Sequence, residues 1–223
     1  VHAEPREPLH SRLAEGLALR GVPRLYAHQA EGIDHLRDGR NLLVATPTAS
    51  GKTLLFAVAV LESVLADEDS RALFLYPTKA LAQDQLAGFR SLSGSLGALR
   101  PPRFEIYDGD TPQARRKKIK SDLPEALITN PDMLHMGILA RHQDWEGLLR
   151  GLRWVVLDEL HVYRGIFGAH VHHILGRLKR LCARYGSRPR FVAASATVGN
   201  PAEFARTLTG EDFALVDRSG APQ

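Results

Sequence analysis

The chain has 223 residues, 44% hydrophobic and 24% charged, with a formal net charge of +4. That balance suits one large globular domain or two small ones and lacks the signature of a disordered chain, while the charge is too slight to imply nucleic acid by itself. The single cysteine, Cys182, excludes an intrachain disulfide framework, and no apolar run reaches the roughly 18 residues that would span a membrane. The opening residues carry neither an apolar signal region nor an initiator Met, so the expectation is a cytoplasmic fragment of a longer protein, nucleoid-associated if bacterial.

Two short helices are predicted over Leu9 to Leu19 and Tyr26 to Leu36, separated by Arg20-Gly21-Val22-Pro23. Six short apolar runs follow, each breaking abruptly into a polar motif. Leu42 to Ala45 leads into Thr46-Pro47-Thr48-Ala49-Ser50-Gly51-Lys52-Thr53, and Leu73 to Tyr76 into Pro77-Thr78-Lys79-Ala80. Phe104 to Tyr107 leads into Asp108-Gly109-Asp110-Thr111, and Ala126 to Ile128 into Thr129-Asn130-Pro131-Asp132. Trp154 to Leu157 meets Asp158-Glu159-Leu160-His161, and Phe191 to Ala194 meets Ser195-Ala196-Thr197. Lys52 to Leu65 is apolar nearly all round, as in a helix packed deep against a sheet. After Arg164 an amphipathic helix carries Phe167, Val171, Ile174, Leu175, Leu178, Leu181 and Cys182 at helical spacing. Phe213 to Val216 reads as a last strand, and Asp217 to Pro222 as the start of a linker.

Continuous apolar runs of this length suit parallel strands buried on both faces, so the expected fold is α/β, a mostly parallel sheet with helices on both faces. Ligands in such sheets bind beyond the carboxyl ends of the strands. All six motifs are therefore expected along one rim.

Thr48 to Thr53 sits between a predicted strand and a predicted helix, the context of a phosphate-binding loop. Lys52 is expected to pair with the β- and γ-phosphates of ATP and the Thr53 hydroxyl to ligate Mg²⁺, with Thr48, Ala49, Ser50 and Gly51 completing the cradle. Thr46 stands where the general pattern has its first glycine, and Ala49 fills another position that is often glycine. Asp158 would hold the ion's shell and Glu159 would orient and deprotonate a water. Acids at a strand end also occur as solvated turns; Lys52 and Thr53 supply the phosphates and ion that favour the catalytic reading.

These residues resemble the first RecA-like, ATP-binding domain of superfamily 2 helicases of the DEAD/DEAH-box kind. Asp158-Glu159-Leu160-His161 and Ser195-Ala196-Thr197 look like that family's second and third motifs, and the order is the family's. The resemblance implies that Gln29 reads adenine, and that Pro77, Thr78, Lys79 and Gln83 grip a nucleic-acid backbone. It further implies strand contacts at Asp108, Gly109, Thr129, Asn130 and Asp132, and coupling of phosphate loss to strand grip through His161, Ser195 and Thr197. Asp108 to Pro112 and Asp158 to Val171 look like a branch of DNA-repair helicases distantly related to RecQ, whose members carry a C-terminal four-cysteine zinc domain. That likeness implies 3′-to-5′ movement on DNA, single-stranded or as a 3′-tailed duplex. Residues 1–25 are expected to form an N-terminal helical extension, 26–217 the RecA-like domain, and 218–223 the start of a linker to a missing second RecA-like domain.

That second domain would supply arginine fingers, worth about 10³ to 10⁵ in rate in related sites. The chain alone is therefore expected to bind ATP and hydrolyse it poorly. The rival readings are an ATP-gated RNA remodeller or nucleic-acid clamp and, more distantly, a P-loop kinase. Arg115, Arg116, Lys117, Lys118 and Lys120 read as a solvated helix face before a phosphate patch, and Arg177, Arg180 and Arg184 likewise. His170, His172 and His173 lack the supporting spacing of a zinc site. Cys182 and Trp154 read as core, and Tyr163 and Arg164 as either loop packing or contacts to the strand or partner domain.

Overall fold

A computed structural model describes residues 1–47, 50–196 and 199–221. The calls on Thr48, Ala49 and Thr197 lie outside the described residues. The chain begins with β1 (His2–Ala3), α1 (Ser11–Leu19), β2 (Leu25–Tyr26) and α2 (Ala27–Arg37). It continues with β3 (Asn41–Val44), α3 (Lys52–Ala66), β4 (Arg71–Leu75), α4 (Lys79–Gly94), β5 (Phe104–Ile106), α5 (Gln113–Ser121) and β6 (Ala126–Thr129). After β6 come α6 (Pro131–Met133), a π-helical turn over Leu134–Ile138, a 3₁₀ stretch over Leu139–Trp145 and α7 (Glu146–Gly151). Then follow β7 (Leu152–Leu157), a 3₁₀ turn over Leu160–Val162, α8 (Gly165–Arg184), β8 (Arg190–Ala194), α9 (Pro201–Thr209) and β9 (Phe213–Val216).

Seven strands make one sheet in the order β5-β6-β4-β7-β8-β3-β9, and every pairing in it is parallel. Their carboxyl ends finish nearly level: Leu75 pairs with both Thr129 and Leu157, and Val44 with Ala194. Alternation along each strand feeds two cores. Leu42, Val44, Phe74, Val156 and Val192 face α1 to α4, where Leu13, Ile33, Phe56 and Phe89 pack. Leu43, Leu73, Val155, Leu157 and Ala193 face the other layer, with Trp145, Val171, Leu175, Leu178, Cys182 and Leu208. Burial on both faces is why these strands read as unbroken apolar runs.

Three features were not expected from sequence. The strands β1 and β2 pair antiparallel, His2 with Tyr26 and Ala3 with Leu25; two residues are too few to show a period. Gly220 N–H donates to His28 Nδ1 at 3.1 Å, which lays the segment after β9 against the start of α2. The basic helix α5 is not a free solvated face. Arg115 grips the Glu105 carboxylate at 2.5 Å, Arg116 donates to the carbonyls of Asp108 and Thr111 at 2.7 and 2.8 Å, and Lys120 pairs with Asp144 at 2.7 Å. Only Lys117 and Lys118 of the five stand exposed without an ion pair among the described residues.

Candidate nucleotide site and strand interface

The sheet order divides the carboxyl rim into two halves. The phosphate-binding loop follows β3, Ser195 follows β8 and the acidic pair follows β7, and these three strands are adjacent. The expected strand-gripping segments follow β4, β6 and β5, also adjacent. The halves meet where β4 pairs with β7.

At the nucleotide half, Gly51 caps α3 in the left-handed conformation, φ 83°. A side chain there would be strained, and its Cβ would stand 2.6 Å from Gln29 Nε2. Gln29 is buried, with its amide used at both ends: Oε1 accepts from Tyr26 N–H at 2.9 Å and Nε2 donates to the Gly51 carbonyl at 3.0 Å. Thr46, at the position of the missing glycine, joins its hydroxyl to that of Ser50 across the loop at 2.7 Å. Lys52 donates to the carbonyls of Thr46 and Pro47 at 2.7 and 3.0 Å. Burial lowers the pKa of its ammonium, opposed by the charges of Asp158 and Glu159. Thr53 follows as the half-buried second residue of α3.

Asp158 is 8% exposed, and burial pushes its carboxyl up to about 6. The Glu159 N–H, donating to Oδ1 at 2.9 Å, holds it down, as do Lys52 and His161, while the Glu159 charge raises it. No ion pair joins Asp158 to Lys52 among the described residues, which is why both charged forms remain disfavoured by burial. Glu159 takes a left-handed backbone, φ 50° and ψ 47°, uncommon for a side-chain-bearing residue and frequent at functional sites. Its Oε2 lies 3.3 Å from His161 Nδ1, close enough for an ion pair when the ring is protonated but not aligned for a hydrogen bond. Ser195 is anchored through its N–H to the Val44 carbonyl at 3.1 Å, and its buried hydroxyl has no partner among the described residues.

At the other half, Thr78 caps α4, its hydroxyl accepting from Leu81 N–H at 3.4 Å. Thr78, Lys79 and Gln83 are exposed and Pro77 half-buried. Lys79 pairs with Asp110 at 2.6 Å. Asp108 points inward: its Oδ1 accepts from Asp110 N–H and from the Thr111 hydroxyl, both at 3.0 Å, so the turn presents the exposed Gly109 outward. Thr129 is buried too, its hydroxyl donating to the Tyr107 carbonyl at 2.6 Å. Asn130 caps α6 through Met133 N–H at 2.9 Å, and Asp132 is exposed. Tyr163 is packed inside, its hydroxyl donating to the Leu75 carbonyl at 3.3 Å, whereas Arg164 lies over the Phe204 ring. Asp108 and Thr129 are both buried, and their polar atoms also build the turn and the strand end. The sequence marks Thr46 only as a departure from the glycine pattern and does not single out Asp110 or Tyr76, whose partners lie far along the chain or across the sheet.

A level parallel sheet, a glycine-capped helix presenting Lys52 and Thr53, and an acidic pair two strands away define a RecA-like nucleotide-binding domain. The DEAD/DEAH box helicase model matches residues 26–204, and the chain belongs to that family. It is 45% identical over 216 residues to the uncharacterized ATP-dependent helicase YprA of Bacillus subtilis, a match covering 97% of this chain and 28% of YprA. It is 38% identical over 218 residues to the ATP-dependent helicase hrq1 of Schizosaccharomyces pombe, covering 96% of this chain and 20% of hrq1. The crystal structure of the DUF1998 helicase MrfA bound to DNA and AMPPNP superposes with a TM-score of 0.93 at 44% identity, covering all of this chain and 32% of that one. The chain thus spans a third or less of each of these relatives.

Proposed function

We propose that this chain is the ATP-binding first motor domain of an ATP-dependent DNA helicase that moves 3′ to 5′ and serves DNA repair. One observation carries the reading: a single rim holds the nucleotide residues on β3, β8 and β7 and the exposed strand-gripping candidates beyond β4, β6 and β5, joined at the β4–β7 pairing. A kinase of a small substrate would leave the second half of the rim without work. DNA is favoured because MrfA, 44% identical, is described bound to DNA. A second RecA-like domain, a relation to RecQ and a C-terminal zinc domain remain part of the proposal, and the greater length of the relatives leaves room for both domains.

The residues fit ATP and Mg²⁺. Gly51 supplies the left-handed turn that starts α3 at Lys52 and Thr53, and Asp158 keeps a buried carboxylate with only Oδ1 engaged by the backbone. Thr53 and Asp158 would hold the ion, and when bound it would neutralise charge on the phosphoryl oxygens. Lys52 leaves the carbonyls of Thr46 and Pro47 to meet phosphate. Glu159 takes a proton from the attacking water at its carboxylate, and His161, 3.3 Å away, responds to the charge it carries. Gln29 ties the base side of the site to the loop through Gly51. Arginine fingers from the second domain complete the site, so the isolated chain binds ATP and turns it over slowly.

The test is steady-state ATP turnover by the full-length protein with single-stranded DNA, single-stranded RNA or neither, with Glu159→Gln as the blank. Stimulation by DNA, abolished in the blank, supports the DNA motor. Equal stimulation by RNA moves the reading to an RNA remodeller, and no stimulation by either sinks the helicase reading. Strand separation by the isolated 223-residue chain would overturn the dependence on a second domain.

A further inference from the structure

Tyr76 is the first residue beyond β4, and it occupies the seam between the two halves of the rim. On one side its N–H donates to the Thr129 carbonyl at 3.0 Å, tying it to the end of β6. On the other side Leu75 pairs with Leu157, and the Asp158 N–H donates to the Leu75 carbonyl at 3.3 Å. Extending that register by one residue sets Tyr76 beside Asp158. Neighbouring residues in parallel register project to the same face, and Tyr76 packs in the core beneath α3, with Phe74 and Val156. Pro77, Thr78 and Lys79 follow it directly.

The Tyr76 ring is 1% exposed, yet its hydroxyl has no hydrogen-bond partner among the described residues. A buried hydroxyl left unpaired is destabilising, and groups of this kind call for an explanation. Tyr163, its neighbour at the same seam, satisfies its own hydroxyl on the Leu75 carbonyl. Burial raises the Tyr76 phenol well above its ordinary value, with the charge of Asp158 adding to the effect, so it remains a donor. The nearby acceptor that a nucleotide would reorganise is the Asp158 carboxylate, of which the backbone engages only Oδ1.

We propose that Tyr76 is a positioning residue whose hydroxyl donates to the Asp158 carboxylate in the nucleotide-bound state, so that a change at the acidic pair is transmitted through one side chain to the strand-gripping segment Pro77-Thr78-Lys79. This inference rests on the motor reading above and names a relay within it. Tyr76 touches no substrate; it acts through Asp158 on one side and through its own backbone on the other. Among the described residues the hydroxyl is unpaired, and the bond that it gains with nucleotide favours the bound arrangement.

The test uses the full-length protein and Tyr76→Phe, which removes only the hydroxyl. Single-stranded DNA affinity is measured with and without a non-hydrolysable ATP analogue, beside the melting temperature of the nucleotide-free protein. The wild type is expected to show a ratio of the two DNA affinities of at least about 10-fold, within the usual range of coupling between sites. In Tyr76→Phe the ratio should shrink by roughly 10-fold, the worth of one hydrogen bond to a charged group, while the melting temperature stays level or rises. A wild-type ratio retained in Tyr76→Phe overturns the relay alone. So does a variant that melts several degrees lower or fails to fold, since the hydroxyl would then be structural. A wild-type protein whose DNA affinity ignores the nucleotide overturns the motor reading, and the relay with it.

Discussion

Gln29 and Gly51 lock the entrance of the phosphate-binding loop: the Gln29 amide donates to the Gly51 carbonyl at 3.0 Å, and a Cβ on residue 51 would meet that same nitrogen at 2.6 Å. The left-handed φ of 83° and the crowding act together, so neither the side chain at 29 nor the absence of one at 51 is free to vary.

Gly51→Ala is therefore expected to cost about 1–2 kcal/mol from backbone strain, and more if Gln29 is displaced. Gln29→Ala leaves the Tyr26 N–H and the Gly51 carbonyl without their partner and should weaken ATP-analogue binding by roughly 10-fold. Titration with a fluorescent analogue and urea unfolding check both. Unchanged affinity in Gln29→Ala would show that the lock does not shape the loop.

Asp158 makes stability depend on pH. Its carboxyl is pushed up by burial from 3.8 to about 6, so between those values the folded chain holds more protons than the unfolded one. Stability then falls as pH rises through that window and levels off above it. The ionised group costs at most about 3 kcal/mol at pH 8. Asp158→Asn, without nucleotide or divalent cation, should be the more stable protein at pH 8, with its advantage vanishing towards pH 4. Urea unfolding across that range reads the sign; a wild type that gains stability from pH 4 to 8 relative to the variant contradicts it.

Thr129→Val keeps the shape of the side chain and removes a buried donor from the Tyr107 carbonyl. The expected loss is about 1–3 kcal/mol of stability. DNA affinity of the folded variant should stay within about two-fold of wild type, because the hydroxyl faces the protein. A stable variant that bound DNA much more weakly would return Thr129 to direct contact with the strand.

Cys182 sits on the core-facing side of α8, where burial pushes its thiol up to about 11. The thiolate is the reactive form. A thiol reagent at pH 8 should leave native protein unmodified for hours and label one equivalent on unfolding. Rapid labelling of the native chain would place the thiol outside the core.

Much of this architecture is legible along the chain because its determinants are local. A strand buried on both faces must be apolar throughout, and it must end where polar atoms begin, so Leu42 to Ala45 and Trp154 to Leu157 announce both their strands and their motifs. The position of the phosphate-binding loop is equally local, since Gly51, Lys52 and Thr53 fall between a strand and a helix, although the Gln29 contact that locks Gly51 is not. Pairing order is not local. Nothing in the spacing says that β8 lies between β3 and β7, which sets Ser195 between the phosphate loop and the acids, or that β4 borders β7, which sets Tyr76 beside Asp158. Nor does a run such as Arg115 to Lys120 reveal that Glu105 and Asp144 will claim two of its charges. The order of residues determined the strands, the loop and the rim on which they end, because a period and a turn are set by neighbours in the chain. Tertiary structure alone decided which motifs adjoin and which polar atoms turn inward, because contacts between distant segments depend on how the whole sheet and its two cores pack.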